Sequence, residues 1–126
     1  MSDRNASTIM TEKRPVQSGD IYLADLNPAR GSEQSGIRPV LVISSDLMHQ
    51  SKRMIVCPIT TNNDFWTTKV PLPGGAKTKG MVLTDQMRSI DKAERTLRFV
   101  ETLDQDFVTL VRIFIGRLLE LEVRQL

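Results

Sequence analysis

Only one long stretch of this chain has apolar residues at helical spacing, and it lies near the end. Phe107, Leu110, Val111, Phe114, Leu118 and Leu121 recur at three- and four-residue steps, which marks one face of a helix. Either Asp104 alone or Thr102 with Gln105 as a capping box can start it. Ile113 and Ile115 widen its apolar surface beyond one stripe. Everything earlier breaks into runs of strand length, divided by Pro, Gly, Asn and Asp. Residues 20–26 alternate as a strand with two partly covered faces. Residues 40–43 are continuously apolar, as in a central strand, and Pro39 sits at that strand's start, where no ladder donor is needed. Further strands are expected over 54–59, 67–72, 81–83 and 96–102, with 86–90 continuing the fifth after a break. Short helical turns are expected from Ser44 or Ser45 through His49, and over 91–94. Five to seven strands and one C-terminal helix predict a mainly β, α+β domain: a small, mostly antiparallel barrel-like sheet with the helix packed on it.

A length of 126 residues suits one domain. It is read as a lead-in over 1–15, expected to be disordered, followed by a single domain over 16–126, with Met10 as an alternative start. No apolar run approaches the roughly 20 residues of a membrane helix. The N-terminus lacks the apolar core of a signal peptide, so a cytoplasmic protein is expected. The one cysteine, Cys57, lies among Ile55, Val56, Pro58 and Ile59 and reads as a buried core thiol.

The net charge of +2 is unevenly spread. Residues 67–98 hold seven Lys and Arg against three Asp and Glu. Arg88, Lys92, Arg95 and Arg98 could serve a polyanion or simply be a solvated face. His49, near Lys52 and Arg53, reads as a solvated surface histidine.

The chemistry is narrowed by what is missing. One histidine excludes a two-histidine ribonuclease mechanism within one chain. There is no Cys/His cluster for zinc, no phosphate-binding glycine loop and no HExxH motif. Enzymatic chemistry here must use Arg, Thr, Ser, Asp or Glu, without a metal or cofactor. Between the first two strands lies a polar loop carrying Arg30, Glu33 and, at its return, Arg38. A guanidinium fork matches phosphate geometry. RNA supplies its own nucleophile, the 2′-OH, so a site that aligns it and stabilises a charged phosphorane suffices for cleavage.

Three runs carry a resemblance: GDIYLADLNPARGSEQSGIRPVLVIS from Gly19, PITT from Pro58 and TDQMRSID from Thr84. In this order and spacing they resemble the MazF/PemK (Kid) family, the toxins of bacterial toxin–antitoxin pairs, over about residues 18–121. The resemblance implies an SH3-like barrel with a C-terminal helix. It also implies a homodimeric, metal-independent ribonuclease that cuts single-stranded RNA at short sequences and is inhibited by an antitoxin protein. Carried over by position, Arg38 is the catalytic arginine, expected to stabilise the phosphorane and shuttle a proton. Thr60 is the catalytic threonine, hydrogen-bonded to a non-bridging oxygen. Ser32 and Glu33 lie in the loop that gates RNA. Asp85 matches an acidic position that one branch uses in catalysis, and otherwise reads as a turn residue. Gln86 and Thr61 would contact RNA. Arg88 would bind phosphate, act structurally or pair with Asp85 or Asp91. Leu83 departs from the pattern, because the PemK/Kid branch has an arginine there. This shifts the expected mechanism towards Arg38 and Thr60. Phe65 and Trp66 beside the Thr60 loop could stack on bases or pack in the core or in a dimer.

A different function on a similar fold is a non-enzymatic, CcdB-type toxin that binds DNA gyrase through the end of its C-terminal helix. Residues 119–126 carry no Trp-Gly-Ile-type ending. The expected antitoxin surface is the basic segment from Lys92 to Arg98.

Overall fold

The computed structural model describes residues 14–121. Most of the expected lead-in, the start at Met10 and residues 122–126 lie outside the described residues. The strands are β1 (Asp20–Asp25), β2 (Ile37–Val42), β3 (Arg53–Thr60), β4 (Lys69–Pro71), β5 (Met81–Leu83), β6 (Arg88–Asp91) and β7 (Thr96–Thr102). They form one sheet in the order β4-β5-β3-β2-β1-β7, with β6 also on β3. Every pairing is antiparallel. A helical turn, Lys92–Arg95, joins β6 to β7, and the long helix runs over Gln105–Leu118. Among the described residues no helix is long and apolar enough to cross a membrane.

The continuous apolar run of β2 follows from burial on both faces. Alternate residues of a strand point to opposite sides. Tyr22, Ala24, Val40, Val42, Met54, Val56 and Ile90 share one buried cluster. Ile21, Leu41, Cys57 and Ile59 face the other way and meet Phe107, Val111 and Ile115 of the helix. The helix thus covers one face while the sheet curls over the other.

The helix differs from its expected extent. It stops at Leu118, and Glu120 turns out of it with φ 57°. It buries Phe107, Val108, Val111 and Ile115, while Leu110, Leu118 and Leu121 face out. Asp104 is the cap, accepting from the Phe107 N–H at 3.0 Å. The capping-box residues are engaged elsewhere: the Thr102 hydroxyl donates to Asp20 and Gln105 Nε2 donates to the Ser18 carbonyl.

Asp20 is fully buried and explains how the start of β1 is fastened. Its carboxylate accepts from Arg14 (3.2 Å), the Gln17 N–H (2.9 Å), the Tyr22 hydroxyl (3.0 Å) and the Thr102 hydroxyl (2.6 Å). Arg14, at the end of the expected lead-in, also lies over the Phe99 ring, 3.6 Å from its centroid, a cation–π contact.

His49 is not the solvated residue its neighbours suggested. Its side chain is 4% exposed. Nε2 lies 2.5 Å from the Ser44 hydroxyl and Nδ1 lies 3.1 Å from the Val16 carbonyl. The chain folds the 46–50 turn inward, and Lys92 Nζ secures it through the His49 carbonyl at 2.6 Å. Burial holds the imidazole below its ordinary 6.5.

Two outcomes are expected. Asp20→Ala leaves several donors without an acceptor and should cost about 2–4 kcal/mol, measured by urea denaturation; an unchanged midpoint would remove Asp20 as the anchor of β1. His49 binds a proton more readily unfolded than folded. Its contribution is therefore complete above about pH 6.5 and is lost as pH falls below that value. The melting temperature should drop between pH 7.5 and 5.5, and this dependence should flatten in His49→Gln.

Candidate active site

The site forms where β3 changes partners. Arg53–Val56 pair with β6, whereas Ile59 and Thr60 pair with β5. Cys57 and Pro58 lie at the divergence. Neither Pro39 nor Pro58 has an N–H, and the recorded β2–β3 ladder begins at the Val40–Pro58 pair. Arg38 of β2 and Thr60 of β3 each lie two residues beyond that pair. By strand parity both share a face with Val42 and Val56, and so does Arg88, which pairs with Val56. Three expected site residues thus come to one end of the sheet.

Thr60 is buried, and its hydroxyl accepts from the Asn62 N–H at 3.1 Å. Its main chain is held by a close approach. A Cβ on Gly80, which has φ +128°, would land on the Thr60 carbonyl, so only glycine lets the hairpin lie there. Arg38 is half-buried, and its Nε donates to the Ser35 carbonyl at 2.8 Å.

Two adjoining clefts open at this end. One, about 390 Å³, is bounded by Thr60, Leu83, Asn62, Phe65, Trp66 and Lys69. The other, about 420 Å³, lies between Ser32, Glu33, Pro58, Met87 and Arg88. Gln34, Asp85 and Gln86 line both. Phe65 and Trp66 are 76% and 60% exposed, which settles against core packing for these rings. Thr61 is exposed at the end of β3.

The turn Thr84–Gln86 presents Asp85 to solvent and aims Gln86 at the β1–β2 loop. Gln86 Oε1 accepts from the Gln34 N–H at 2.7 Å, and its Nε2 donates to the Ser32 carbonyl at 3.4 Å. Within the loop, Glu33 accepts from the Arg30 N–H at 2.8 Å. Burial, with the charge of Asp85 adding to it, pushes the Cys57 thiol up to about 12. The thiol is therefore a core group with no nucleophilic part.

The basic segment is largely structural. Arg88 donates to the Leu26 carbonyl at 3.3 Å, and Arg95 donates to the Asp25 and Asn27 carbonyls. Lys92 holds the His49 carbonyl. Arg88 and Arg95 tie β6 and the following turn to the end of β1, and Lys92 ties that turn to residues 46–50. No ion pair links Arg88 to Asp85 or Asp91 among the described residues.

Sequence reasoning did not single out Gln34 or Thr68. Gln34 Oε1 and Thr68 Oγ1 are buried without a hydrogen-bond partner and line the first cleft. Uncharged polar residues in loops carry no distinguishing signal in one sequence. Among the described residues no cluster of three or more His, Cys, Asp or Glu is placed to hold a metal ion.

Thr60, Asp85 and Arg88 line these clefts, whereas Arg38, held by the Ser35 carbonyl, lines neither; a guanidinium and a hydroxyl beside an open groove can hold a phosphodiester. Residues 17–119 match the family model of the PemK-like, MazF-like toxin of type II toxin–antitoxin systems. The chain is 33% identical over 115 residues to the endoribonuclease PemK of Escherichia coli, covering 87% of this chain and 84% of that one. It is 37% identical over 100 residues to the endoribonuclease EndoA of Bacillus subtilis, covering 71% and 83%. The crystal structure of MazF from Deinococcus radiodurans superposes with a TM-score of 0.76 at 30% identity, covering 86% of this chain and 99% of that one. A MazE–MazF complex from the same organism superposes at 0.72, with 30% identity and the same coverage. With its family model spanning almost the whole described domain, the chain belongs to the PemK-like, MazF-like toxins of type II toxin–antitoxin systems.

Proposed function

We propose that this toxin is an endoribonuclease, like the relatives named above, and that it cleaves single-stranded RNA in the cytoplasm without a metal. The observation that carries the reading is that Thr60 and Asp85 line one cleft at the end of the β2–β3 ladder, with Arg38 two residues beyond the last pair of that ladder.

In this mechanism the 2′-OH attacks the adjacent phosphorus. The bond from O2′ to phosphorus forms as the bond to O5′ breaks, giving a 2′,3′-cyclic phosphate and a 5′-hydroxyl. Asp85 accepts the proton of the 2′-OH, solvent water protonates the departing O5′, and the resulting hydroxide is neutralised by the proton that Asp85 returns to solvent. Arg38 stabilises the charge on the phosphorane through N–H donors fixed before the reaction starts. A guanidinium stays protonated under ordinary conditions, so the proton transfer falls to Asp85. The Thr60 hydroxyl donates to a non-bridging oxygen. Ser32, Glu33 and Thr61 contact the RNA strand, and Arg88 offers phosphate the guanidinium nitrogens not spent on Leu26. Trp66 and Phe65 stack on bases at the first cleft. Leu83 in place of an arginine leaves Arg38 as the cation of the reaction.

The partners are an antitoxin protein and a second copy of the chain. Solved relatives are recorded with MazE. Leu97 and Phe99 on β7, and Leu110 and Leu118 on the helix, are exposed and support a homodimer.

The test is cleavage of a long single-stranded RNA in excess EDTA, with the fragment ends mapped. Discrete cuts with 5′-hydroxyl ends are expected. Arg38→Ala and Thr60→Val should each lower kcat by at least about 100-fold, with the Arg38→Ala melting temperature nearly unchanged. Loss of cleavage in EDTA, or full activity in Arg38→Ala, would overturn the mechanism. Intact RNA with gyrase inhibition would instead support the binding-only toxin.

A further inference from the structure

We infer that Gln86 is a positioning residue that acts on Arg38 through the β1–β2 loop. The inference rests on the ribonuclease reading for its effect on rate, but not for its geometry. The family pattern makes Gln86 an RNA contact, yet its carboxamide is already engaged at both ends. Oε1 holds the Gln34 N–H at 2.7 Å, and Nε2 reaches the Ser32 carbonyl at 3.4 Å. One side chain thus fastens two backbone groups of the loop, one on either side of Glu33.

The next residue along is the one that matters for the guanidinium. The Ser35 carbonyl accepts from Arg38 Nε at 2.8 Å. A guanidinium is planar, so fixing Nε fixes the plane and direction of both Nη groups. The path is short and continuous: Gln86, the Gln34 amide, the Ser35 carbonyl, Arg38. The loop also closes on itself through the Arg30–Glu33 contacts, and its ends are joined by the Leu26–Gly36 bond and by Asn27 Oδ1 to the Gly36 N–H. It therefore behaves as a compact unit whose position is set from outside. Its base is tied from outside by Arg88 on the Leu26 carbonyl and Arg95 on the Asn27 carbonyl, and residues 32 and 34 are tied by Gln86. Gln86 stands on the turn after β5, which the long helix supports from behind. The clefts meet where this contact is made, because Gln34, Asp85 and Gln86 line both.

The chemistry of the fastening selects the substitutions. The shorter bond needs an acceptor at the end of a side chain of this length. Gln86→Glu keeps that acceptor; Gln86→Ala and Gln86→Met remove it, the second while keeping the bulk.

The experiment has two readouts, one of which needs no RNA. In the free protein, amide hydrogen exchange at Gln34 should be at least about tenfold faster in Gln86→Met than in wild type, and near wild type in Gln86→Glu. The Arg38 Nε–H signal in NMR should lose its protection in parallel. With a cleavable RNA, Gln86→Met should lower kcat by about 10–100-fold, as misplacement of a reacting group does, with KM changed less, and Gln86→Glu should recover most of the rate. Unchanged Gln34 exchange in Gln86→Met would overturn the inference. So would a rise in KM alone with Gln34 still protected, which would make Gln86 the RNA contact. If wild-type protein cuts no RNA, the ribonuclease reading fails, and the exchange and Nε–H measurements still decide whether Gln86 sets the loop and Arg38.

Discussion

A strand buried on both faces can hold two neighbours along its edges, but β3 holds three. It pairs with β2 along one edge, and along the other it exchanges β6 for β5 near Pro58. That exchange is the constraint on which the site depends. Two strands leaving one edge in succession must splay, and the chain between them, residues 84–87, must cross the gap. Pro58 and Pro39 withhold N–H donors at the same level, so β2 and β3 separate there as well. The end of the sheet is consequently open beside Thr60, which lines the first cleft. Gly80 secures the upper partner by lying directly against the Thr60 carbonyl. Below the opening both faces are dry: Val40, Val42, Val56 and Met54 on one side, Leu41, Cys57 and Ile59 on the other. The opening therefore rests on a base that has little freedom to adjust.

How much of this a reader could draw from the sequence depended on periodicity. The strands at the centre and the helix were legible because two-residue and three-to-four-residue periods differ so plainly. The place of 88–91 was not. That segment reads as a continuation of β5, yet it pairs with the far half of β3, and no local signal distinguishes a strand that resumes from one that moves to a new neighbour. The helix end was misjudged for a related reason. Leu118 and Leu121 keep the period, but the sheet beneath does not extend to them. His49 was misjudged because its neighbour Arg53 is directed at Ser89, while Val16, 33 residues earlier in the chain, comes to it. At the proposed site, Arg38, Thr60 and Asp85 stand in the three motifs that carry the family resemblance. Gln34 and Thr68 were not legible, since their polar atoms become notable only when folding buries them unpaired.

The basic stretch shows how charge counts mislead. Arg88, Lys92 and Arg95 suggest a polyanion surface when read in sequence. In the fold each directs donors at main-chain carbonyls: Arg88 and Arg95 at the end of β1, and Lys92 at His49 in the turn before β3. The reason is geometric: carbonyls at the ends of short strands have no ladder partner, and long cationic side chains from the β6 region can reach them. A small barrel with many strand ends needs such donors more than a larger one does. The positive charge remains at the surface and still attracts polyanions at long range. The cations themselves, however, are already fixed in place, and a fixed cation discriminates by position rather than by charge alone.

The same economy governs the end of the sheet where catalysis is proposed. In the proposed mechanism Arg38 helps a phosphorane only if its donors point the right way before the charge develops, because reorienting a long side chain during the reaction would consume the stabilisation it gives. On a rigid strand the backbone of Arg38 is settled, but four side-chain torsions are not. The Ser35 carbonyl removes much of that freedom by holding Nε. Ser35 in turn belongs to a loop with few apolar contacts, which hydrogen bonds alone must hold. A loop on a surface is the weakest place from which to orient a guanidinium unless something stiffer grips it. Gln86, on a turn backed by β5 and the helix, supplies that grip. The rigidity of the core reaches the guanidinium by this route, while the loop itself stays exposed outside the core.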